Sequence, residues 1–457
     1  MGNKLQNKNN KGKNYCINVN HPNNIFLSDK RNNLFSPSSM KKVELSTALF
    51  DYKYVIGRGG FGRVYKVVFK QTNTPFALKQ ISKIKIIDKK TEKCIKNERD
   101  ILAHINHPFI VNLHFTFQDK DYLYFVLDLL PGGDLRYHLS QNHRFTEEQT
   151  KFFVGCLILG IEYLHSNGVI HRDIKPENLV LDENGYMRVT DFGIAKMYKK
   201  EEINETSGTP GYMGPEIFKG QNLTFAVDYF ALGVLTYEFM KGLRPYIGKN
   251  RRELREKILS EQIHISKDDL PAGWSFDVVD FVIKLLQKCP ANRLGLRSTK
   301  EVKEHSWFKG FPWEDVYHKK IVAPFIPLQK DNFDKNYCEG VDHEDLEAKV
   351  KYKDFLKEVR MLPNFDFYRL ETGLRFKNKI GENFIRKKFI NPHENIKNIN
   401  KIKENPPEEE KKFVNEDCQS IKMHNKFVMA KNKAFSSSNS LLIREYKNCN
   451  MSLDLIV

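Results

Sequence analysis

The stretch His171-Arg172-Asp173-Ile174-Lys175-Pro176-Glu177-Asn178, followed by Asp191-Phe192-Gly193, decides the fold of this chain. Its order and spacing supply what the transfer of a phosphoryl group to a hydroxyl requires. Asp173 is a carboxylate that can orient the hydroxyl and accept its proton, and Lys175 can neutralise charge on the transferred group. Each residue alone has an ordinary structural alternative, but the ordered set predicts catalysis by Asp173, Lys175 and Asn178.

The same stretch predicts a metal site. Asn178 and Asp191 carry the hard oxygen ligands that Mg²⁺ prefers, and Mg²⁺ in such sites accompanies substrate phosphates. We therefore expect Mg²⁺ as a cofactor, bound together with the phosphates of a substrate.

A glycine-rich segment, Gly57-Arg58-Gly59-Gly60-Phe61-Gly62, lies upstream. In a dinucleotide-binding fold a helix would follow such glycines. Residues 64–69 are instead typical of a strand, which favours a flap between two strands whose backbone N–H groups approach phosphates. An ordinary tight turn is the alternative for this segment taken alone.

Two charged residues extend this pattern. Lys79 follows Ala77 in a short predicted strand, and Glu98 lies in a predicted helix. An ion pair between strand and helix would hold Lys79 against nucleotide phosphates. For either residue alone, a solvated surface position is the ordinary alternative.

The order of the predicted elements indicates the fold class. Residues 63–70 and 122–130 are rich in β-branched and aromatic side chains, as strands are. After residue 145 helices dominate, beginning with a capping box of Thr146 and Gln149 before the periodic segment 152–164. The chain is expected to be α+β and two-lobed, with a small β-rich lobe containing one main helix and a larger, mostly α-helical lobe. Helices are predicted at 91–104, 226–241, 250–260, 276–287 and 299–306.

Composition and charge exclude several other classes. The chain has 457 residues, 40% of them apolar, which excludes global disorder and collagen-like or small disulfide-linked folds. Of the formal charge of +17, +6 lies in residues 1–50 and +6 in residues 371–457, so residues 51–370 carry only +5. We expect no nucleic-acid partner, since zinc-finger spacing and ribonucleoprotein motifs are missing as well. The seven cysteines have no Cys-x-x-Cys pattern, which indicates reduced thiols.

On these motifs, the sequence resembles the eukaryotic protein kinases over residues 51–310. Lys175 beside Asp173, and Thr209 in Gly208-Thr209-Pro210, resemble the serine/threonine class. The resemblance implies transfer of the γ-phosphate of ATP to Ser or Thr hydroxyls of protein substrates in intracellular signalling. A pseudokinase scaffold, the alternative, would typically lack one of Lys79, Asp173 or Asp191.

The resemblance also implies two structural contacts. Glu216 would pair with Arg293, and Asp228 would brace the catalytic loop. The chain departs from the family pattern at Gly214, where Ala is usual, and at Tyr229-Phe230, where Trp is usual.

Within this superfamily the chain is similar to the AGC group, and residues 128–139 resemble the YANK kinases of that group. Tails of AGC kinases wrap the small lobe, so Phe333 would border the adenine pocket. The stretches that carry the similarity are Asn97-Glu98-Arg99, His107-Pro108-Phe109-Ile110-Val111-Asn112-Leu113, Pro324-Phe325-Ile326-Pro327 and Asn332-Phe333-Asp334.

The resemblance assigns ATP binding to both lobes, with Leu127 as gatekeeper and residues 128–130 as the hinge. The implied set is Ile56, Gly57, Arg58, Gly59, Gly60, Phe61, Gly62, Val64, Ala77, Lys79, Glu98, Leu127, Asp128, Leu130, Asp134 and Val180.

Two acidic residues are candidates to replace activating phosphates. Glu205 lies where AGC kinases commonly carry a phosphorylatable Thr and would face Arg172, with phosphorylation of Thr206 or Ser207 as the alternative. Asp366 lies in Leu362-Pro363-Asn364-Phe365-Asp366-Phe367, which resembles the AGC hydrophobic motif. This motif is expected to dock behind the Glu98 helix, with an aromatic patch in a frayed tail as the alternative.

Three carboxylates are expected to attract basic residues of the substrate. Asp134, Glu177 and Glu238 match positions that in basophilic relatives face arginines upstream of the phosphoacceptor, and they attract basic peptides electrostatically. We predict protein substrates with Ser or Thr in basic contexts. Thr209 belongs to the same substrate-binding and regulatory set.

Four segments are expected: a disordered basic arm at 1–50, a catalytic domain at 51–308, an AGC-type tail at 309–370 and a largely disordered basic tail at 371–457. We expect a monomer in the cytoplasm, with the nucleus or membrane periphery as other locations, since no apolar stretch is long enough to span a membrane. Gly2 meets the minimum for N-myristoylation and weak membrane attachment, but Gln6 stands where Ser or Thr is usual. The alternative is a basic arm without a lipid.

Overall fold

The computed structural model of the protein describes residues 45–59, 61–198, 207–328, 362 and 364–368. Its strands are β1 (Phe50–Gly59), β2 (Gly62–Phe69), β3 (Thr74–Ser82), β4 (Leu113–Gln118), β5 (Tyr122–Asp128), β6 (Val169–Ile170), β7 (Leu179–Leu181), β8 (Met187–Val189), β9 (Lys196–Met197) and β10 (Phe367–Tyr368). Six of them form one antiparallel sheet in the order β1-β2-β3-β5-β4-β10, which builds the small lobe. Two further two-stranded antiparallel sheets, β6-β9 and β7-β8, are separate from it.

The β1–β2 hairpin carries the glycine-rich segment. Gly57 pairs with Val64, and Gly59 with Gly62, in antiparallel register. Gly62 has no room for a side chain, since a Cβ there would lie 1.8 Å from the backbone oxygen of Gln80 on β3. The predicted flap between two strands is confirmed, because a strand and not a helix follows the glycines.

The helices divide between the lobes as the predicted α+β class requires. Two lie in the small lobe, and the rest build the large lobe around two long central helices. The helices are α1 (Lys83–Asp88), α2 (Glu92–His104), α3 (Leu135–Asn142), α4 (Glu147–Ser166), α5 (Pro215–Phe218), α6 (Ala226–Lys241), α7 (Arg251–Ser260), α8 (Phe276–Leu285), α9 (Thr299–Lys303) and α10 (Trp313–Tyr317).

The central helices α4 and α6 form for different reasons. The predicted capping box opens α4, because the Thr146 hydroxyl accepts the backbone N–H of Gln149 at 3.2 Å and the Gln149 side chain accepts that of Thr146 at 3.1 Å. Helix α6 is apolar around its circumference and nearly all of it is buried, as such a helix must be.

The predicted helix at 299–306 is too long. Helix α9 ends at Lys303, and a separate 3₁₀ turn follows at Ser306–Phe308. His305 causes the break, since its ring accepts the backbone N–H of Trp307 at 3.2 Å while the Trp307 side chain is buried. The helix predicted at 276–287 likewise ends earlier, at Leu285.

The chain beyond α10 packs back onto the large lobe. The Tyr186 hydroxyl donates to the backbone oxygen of Ile321 at 2.6 Å, and the Phe325 ring lies 4.9 Å from the His138 ring. Gly185, with φ of 81°, allows this approach, since a Cβ there would lie 2.1 Å from the backbone oxygen of Phe325. The first part of the predicted C-terminal tail is thus held against the large lobe.

The cysteines depart from the expectation in one place. Cys94 and Cys156 are free thiols, whereas Cys289 is disulfide-bonded. The expectation of reduced thiols throughout is wrong at Cys289, since the widely spaced cysteines of the chain carry no spacing signal for a disulfide. Across the residues described, no helix is long and apolar enough to cross a membrane.

A buried ion pair ties three parts of the large lobe together. The Arg293 guanidinium donates to the Glu216 carboxylate at 3.0 Å, and the two side chains are 0% and 2% exposed. Arg293 also donates to the backbone oxygens of Ala226 at 2.8 Å and Gln287 at 3.0 Å. The predicted pairing of Glu216 with Arg293 is confirmed.

We predict that Arg293→Ala lowers the free energy of unfolding by about 3–5 kcal/mol, since it leaves the Glu216 carboxylate buried without its cation. Urea unfolding followed by circular dichroism measures this. The control is Lys300→Ala, whose ion pair with Glu304 is exposed and is expected to contribute nothing measurable. Equal midpoints for the two variants would contradict the prediction.

Candidate active site

The Asp173 carboxylate lies at the centre of a cage of hydrogen bonds. Lys175 Nζ donates to its Oδ2 at 2.7 Å, and Asn178 Nδ2 donates to the same oxygen at 3.0 Å. Thr209 donates to Oδ1 through its backbone N–H at 3.1 Å and through its hydroxyl at 2.7 Å. The structure therefore brings these four predicted residues together and fixes the orientation of the carboxylate.

The loop that carries Asp173 is held by the buried carboxylate of Asp228 on α6. This carboxylate accepts the backbone N–H groups of His171 at 3.0 Å and Arg172 at 2.9 Å, and Nε2 of His165 lies 2.8 Å away. Arg172 has φ of 68°, a left-handed conformation that costs a non-glycine residue about 1–3 kcal/mol. The predicted bracing is confirmed, and it stabilises a strained backbone.

Electrostatics favour the charged form of Asp228. Burial alone would raise its pKa, but hydrogen bonds and the nearby histidines outweigh burial and hold the pKa below its ordinary value.

The predicted ion pair between β3 and α2 is present. Lys79 Nζ lies 2.6 Å from Oε1 of Glu98. Burial alone would lower the pKa of Lys79, but the charges of Glu98 and Asp191 outweigh it and raise that pKa. Lys79 in turn helps to hold the pKa of Asp191 below its ordinary value against the effect of burial. Lys79 is thus a cation between two carboxylates.

Helix α2 is also tied to the segment that follows Asp191. The Asn97 side chain donates to the backbone oxygen of Ala195 at 2.6 Å. Phe192 is fully buried, with its ring centroid 5.0 Å from that of His171. These contacts connect the position of Glu98 to that of the catalytic loop.

The predicted ATP-binding residues meet where the two lobes join. Residues 56–59 lie on β1, Gly62 begins β2, and Leu130 follows β5. The space beside Gly59 is open, since no other described atom lies within 4 Å of where its Cβ would be. Three cross-strand pairings connect the set: Val64 with Lys79, Ala77 with Leu127, and Asp134 with Val180.

The carboxylate of Asp128, a residue of the predicted hinge, is bonded to other side chains of the protein. It accepts from the Asn112 side chain at 2.9 Å and pairs with His114 at 2.7 Å and Arg188 at 2.5 Å. A contact between Asp128 and a nucleotide would therefore come from its backbone. The sequence does not predict these three contacts of Asp128, because the partner side chains lie on separate elements.

Two oxygen donors fit a divalent cation. Asn178 turns its amide nitrogen to Asp173, and the Asp191 carboxylate has a low pKa, so both supply oxygens of the kind that Mg²⁺ prefers. Among the described residues, no group of three His, Cys, Asp or Glu side chains is arranged to hold a metal. An ion here would complete its coordination with water and phosphate oxygens.

The hydrophobic motif docks as predicted. The Phe365 side chain is 2% exposed, and its ring packs edge-on against Phe125 at 5.5 Å. Its backbone oxygen accepts from Arg99 on α2 at 3.0 Å and from the Thr116 hydroxyl on β4 at 2.6 Å. Strand β10 then pairs with β4. The contact with Arg99 links this segment directly to the helix that carries Glu98.

Asp366 interacts electrostatically with a lysine of the small lobe. Burial lowers the pKa of Lys83, and the negative charge of Asp366 partly opposes this shift.

Several other predicted residues lie outside the described part of the chain, namely Gly60, Glu205, Thr206 and Phe333.

The three carboxylates predicted to attract the substrate form hydrogen bonds with other groups of the chain. Asp134 caps α3 by accepting the backbone N–H of Tyr137 at 2.8 Å. Arg136 donates to Glu177 and to Glu238, each at 2.8 Å. Sequence reasoning missed Arg136, although it stands two residues after Asp134.

Comparison with known proteins identifies the family. The protein kinase domain family matches residues 50–308. The chain is 41% identical over 302 residues to a probable serine/threonine-protein kinase of Dictyostelium discoideum, covering 65% of this chain and 64% of that protein. It is 36% identical to a RAC family serine/threonine-protein kinase homolog of the same organism, covering 69% and 71%. It is 37% identical to serine/threonine-protein kinase sgk-1 of Caenorhabditis elegans, covering 67% and 66%.

The chain therefore belongs to the protein kinase family. Within it, the relatives place the chain among the serine/threonine kinases of the AGC group. The matches span about two thirds of the length of these relatives.

We predict that Phe365→Ala lowers kcat by about tenfold, since loss of this anchor releases α2 and displaces Glu98 from Lys79. Truncation after residue 355 is expected to have the same effect. Steady-state phosphorylation kinetics measure both. The control is Leu328→Ala, a tail residue that is 82% exposed. An unchanged kcat in both variants would contradict the docking role.

Proposed function

We propose that the chain is an active enzyme that transfers the γ-phosphate of ATP to Ser or Thr hydroxyls of protein substrates. The observation that supports this best is the cage around Asp173, in which Lys175, Asn178 and Thr209 hold both carboxylate oxygens. A group that accepts a proton from a bound hydroxyl needs such a fixed orientation. The assembled Lys79–Glu98 pair supports catalysis over a scaffold role.

In this mechanism Asp173 orients the acceptor hydroxyl and takes its proton as the hydroxyl oxygen bonds to the γ-phosphorus. The bond from that phosphorus to its bridging oxygen breaks, and ADP leaves with the electron pair. Lys175, in contact with Asp173, offsets negative charge on the transferred group. Lys79, held by Glu98, would contact the phosphates of bound ATP.

We assign the divalent cation as Mg²⁺, with Asn178 and Asp191 as the protein ligands. Their donors are an amide and a carboxylate oxygen, which suit a hard cation. When bound, Mg²⁺ neutralises phosphate charge. Asp191 keeps its negative charge because Lys79 holds its pKa low, so it is ready to bind a cation at neutral pH.

Assembly and location are proposals that rest on the sequence. We propose a monomer in the cytoplasm, with the nucleus or the membrane periphery as other sites. Weak membrane attachment would require acylation of Gly2 together with the basic residues near it. The mass of the intact protein after eukaryotic expression tests the acylation.

We predict that Asp173→Ala lowers the rate of phosphate transfer at least about 10²-fold, because the acceptor hydroxyl loses the group that orients it and takes its proton. Transfer of radiolabel from ATP to a mixture of Ser and Thr proteins measures the rate.

The matched control is Asp268→Ala, which removes an exposed carboxylate of the large lobe. Circular dichroism shows whether each variant is folded. Equal incorporation by wild type and a folded Asp173→Ala variant would refute the proposed function.

A further inference from the structure

Arg136 sits among acidic and aromatic groups from three other parts of the large lobe. It lies in the first turn of α3 and donates to Glu177 and to Glu238, each at 2.8 Å. It also donates to the Tyr212 hydroxyl, which in turn donates to Glu238. We call Arg136, Glu177, Tyr212 and Glu238 the arginine cluster.

The arginine cluster adjoins the atoms that would react. Glu177 follows Asp173 by four residues on the same loop. Tyr212 belongs to the turn that begins after Thr209, and Thr209 bonds directly to the Asp173 carboxylate. A peptide whose hydroxyl reaches Asp173 must therefore pass close to this cluster.

The cluster holds two carboxylates and a single cation, and this cation bonds both carboxylates. Two carboxylates alone would draw cationic side chains of a peptide to this surface. Arg136 supplies a planar guanidinium that bonds both, a geometry suited to carboxylates. Glu238 is nearly inaccessible, with 4% of its side chain exposed, whereas Arg136 is 34% and Glu177 44% exposed. The carboxylates raise the pKa of Arg136 further above its ordinary value, so it stays charged.

We propose that Arg136 is a specificity-determining residue that masks Glu177 and Glu238 from the substrate. A basic side chain of a peptide has to displace Arg136 to reach the buried Glu238 and has to compete with the positive charge of Arg136 at the half-exposed Glu177, so basic residues upstream of the acceptor bring little gain. This inference rests on the proposed kinase activity. It differs from the sequence-based preference for basic contexts, which took account of the carboxylates but not of Arg136.

The test uses a library of Ser peptides in which each of the positions before the acceptor is set to Arg or to Ala. The readout is the ratio of kcat/KM for the Arg peptide to that for the Ala peptide. This ratio does not depend on the fraction of enzyme that is folded. For the wild type we expect it to stay within about threefold at every position, the size of one exposed ion pair.

Arg136→Ala unmasks the carboxylates and should raise the ratio about tenfold at one or more positions, which is about 1.4 kcal/mol. Arg136→Gln keeps a donor for the buried Glu238, so it provides the same test if the alanine variant does not fold. Adding Glu238→Gln to either variant should lower the ratio again. The matched control is Arg252→Ala, which removes an arginine that is 88% exposed on α7 and should leave the ratio unchanged.

A wild-type ratio of about tenfold or more, or a ratio in both Arg136 variants equal to that of wild type, would overturn the masking role. A folded wild-type chain that phosphorylates no member of the library contradicts the proposed function itself, which separates the two failures.

Discussion

The carboxylate of Asp228 is the constraint on which the rest of the active site depends. It is wholly buried, and it accepts two consecutive backbone N–H groups of the catalytic loop, those of His171 and Arg172. Without it these two groups would be buried without this acceptor, at a position where Arg172 already has a costly left-handed conformation. Asp173 is the next residue, so its direction follows from this anchor.

The ion pair of Lys79 and Glu98 is the second constraint, and it lies on the side of the site predicted to bind the nucleotide. Glu98 reaches Lys79 from α2, and this helix is held in place from two directions. On one side Asn97 bonds Ala195, and on the other Arg99 bonds Phe365. Consecutive residues of one helix turn thus contact the catalytic segment, the strand lysine and the distant tail. These bonds tie the position of Glu98 to both segments.

Much of the fold and of the site was predictable from the sequence, because the decisive signals are local. The capping box of Thr146 and the strand after the glycines depend on neighbouring residues, and the motifs around Asp173 and Asp191 carry their chemistry in their spacing. The contacts that escaped prediction are those of Arg136 and Asp128. Each joins side chains from several elements, a property that only the folded chain defines.

The end of α9 is another feature that the local sequence does not predict. Helical periodicity continues past Lys303, but burial of Trp307 and the cap from His305 stop the helix. Tertiary packing overrides local propensity at such places.

The most direct test of the central claim is the single-turnover rate of phosphate transfer by Asp228→Asn with ATP in excess. The amide nitrogen of Asn cannot accept a backbone N–H, so the variant loses one of the two anchors while keeping its shape. We predict a folded protein whose rate falls about 10²-fold, since a small displacement of Asp173 is enough to cost that much. A folded variant with the wild-type rate would contradict the dependence of the active site on Asp228.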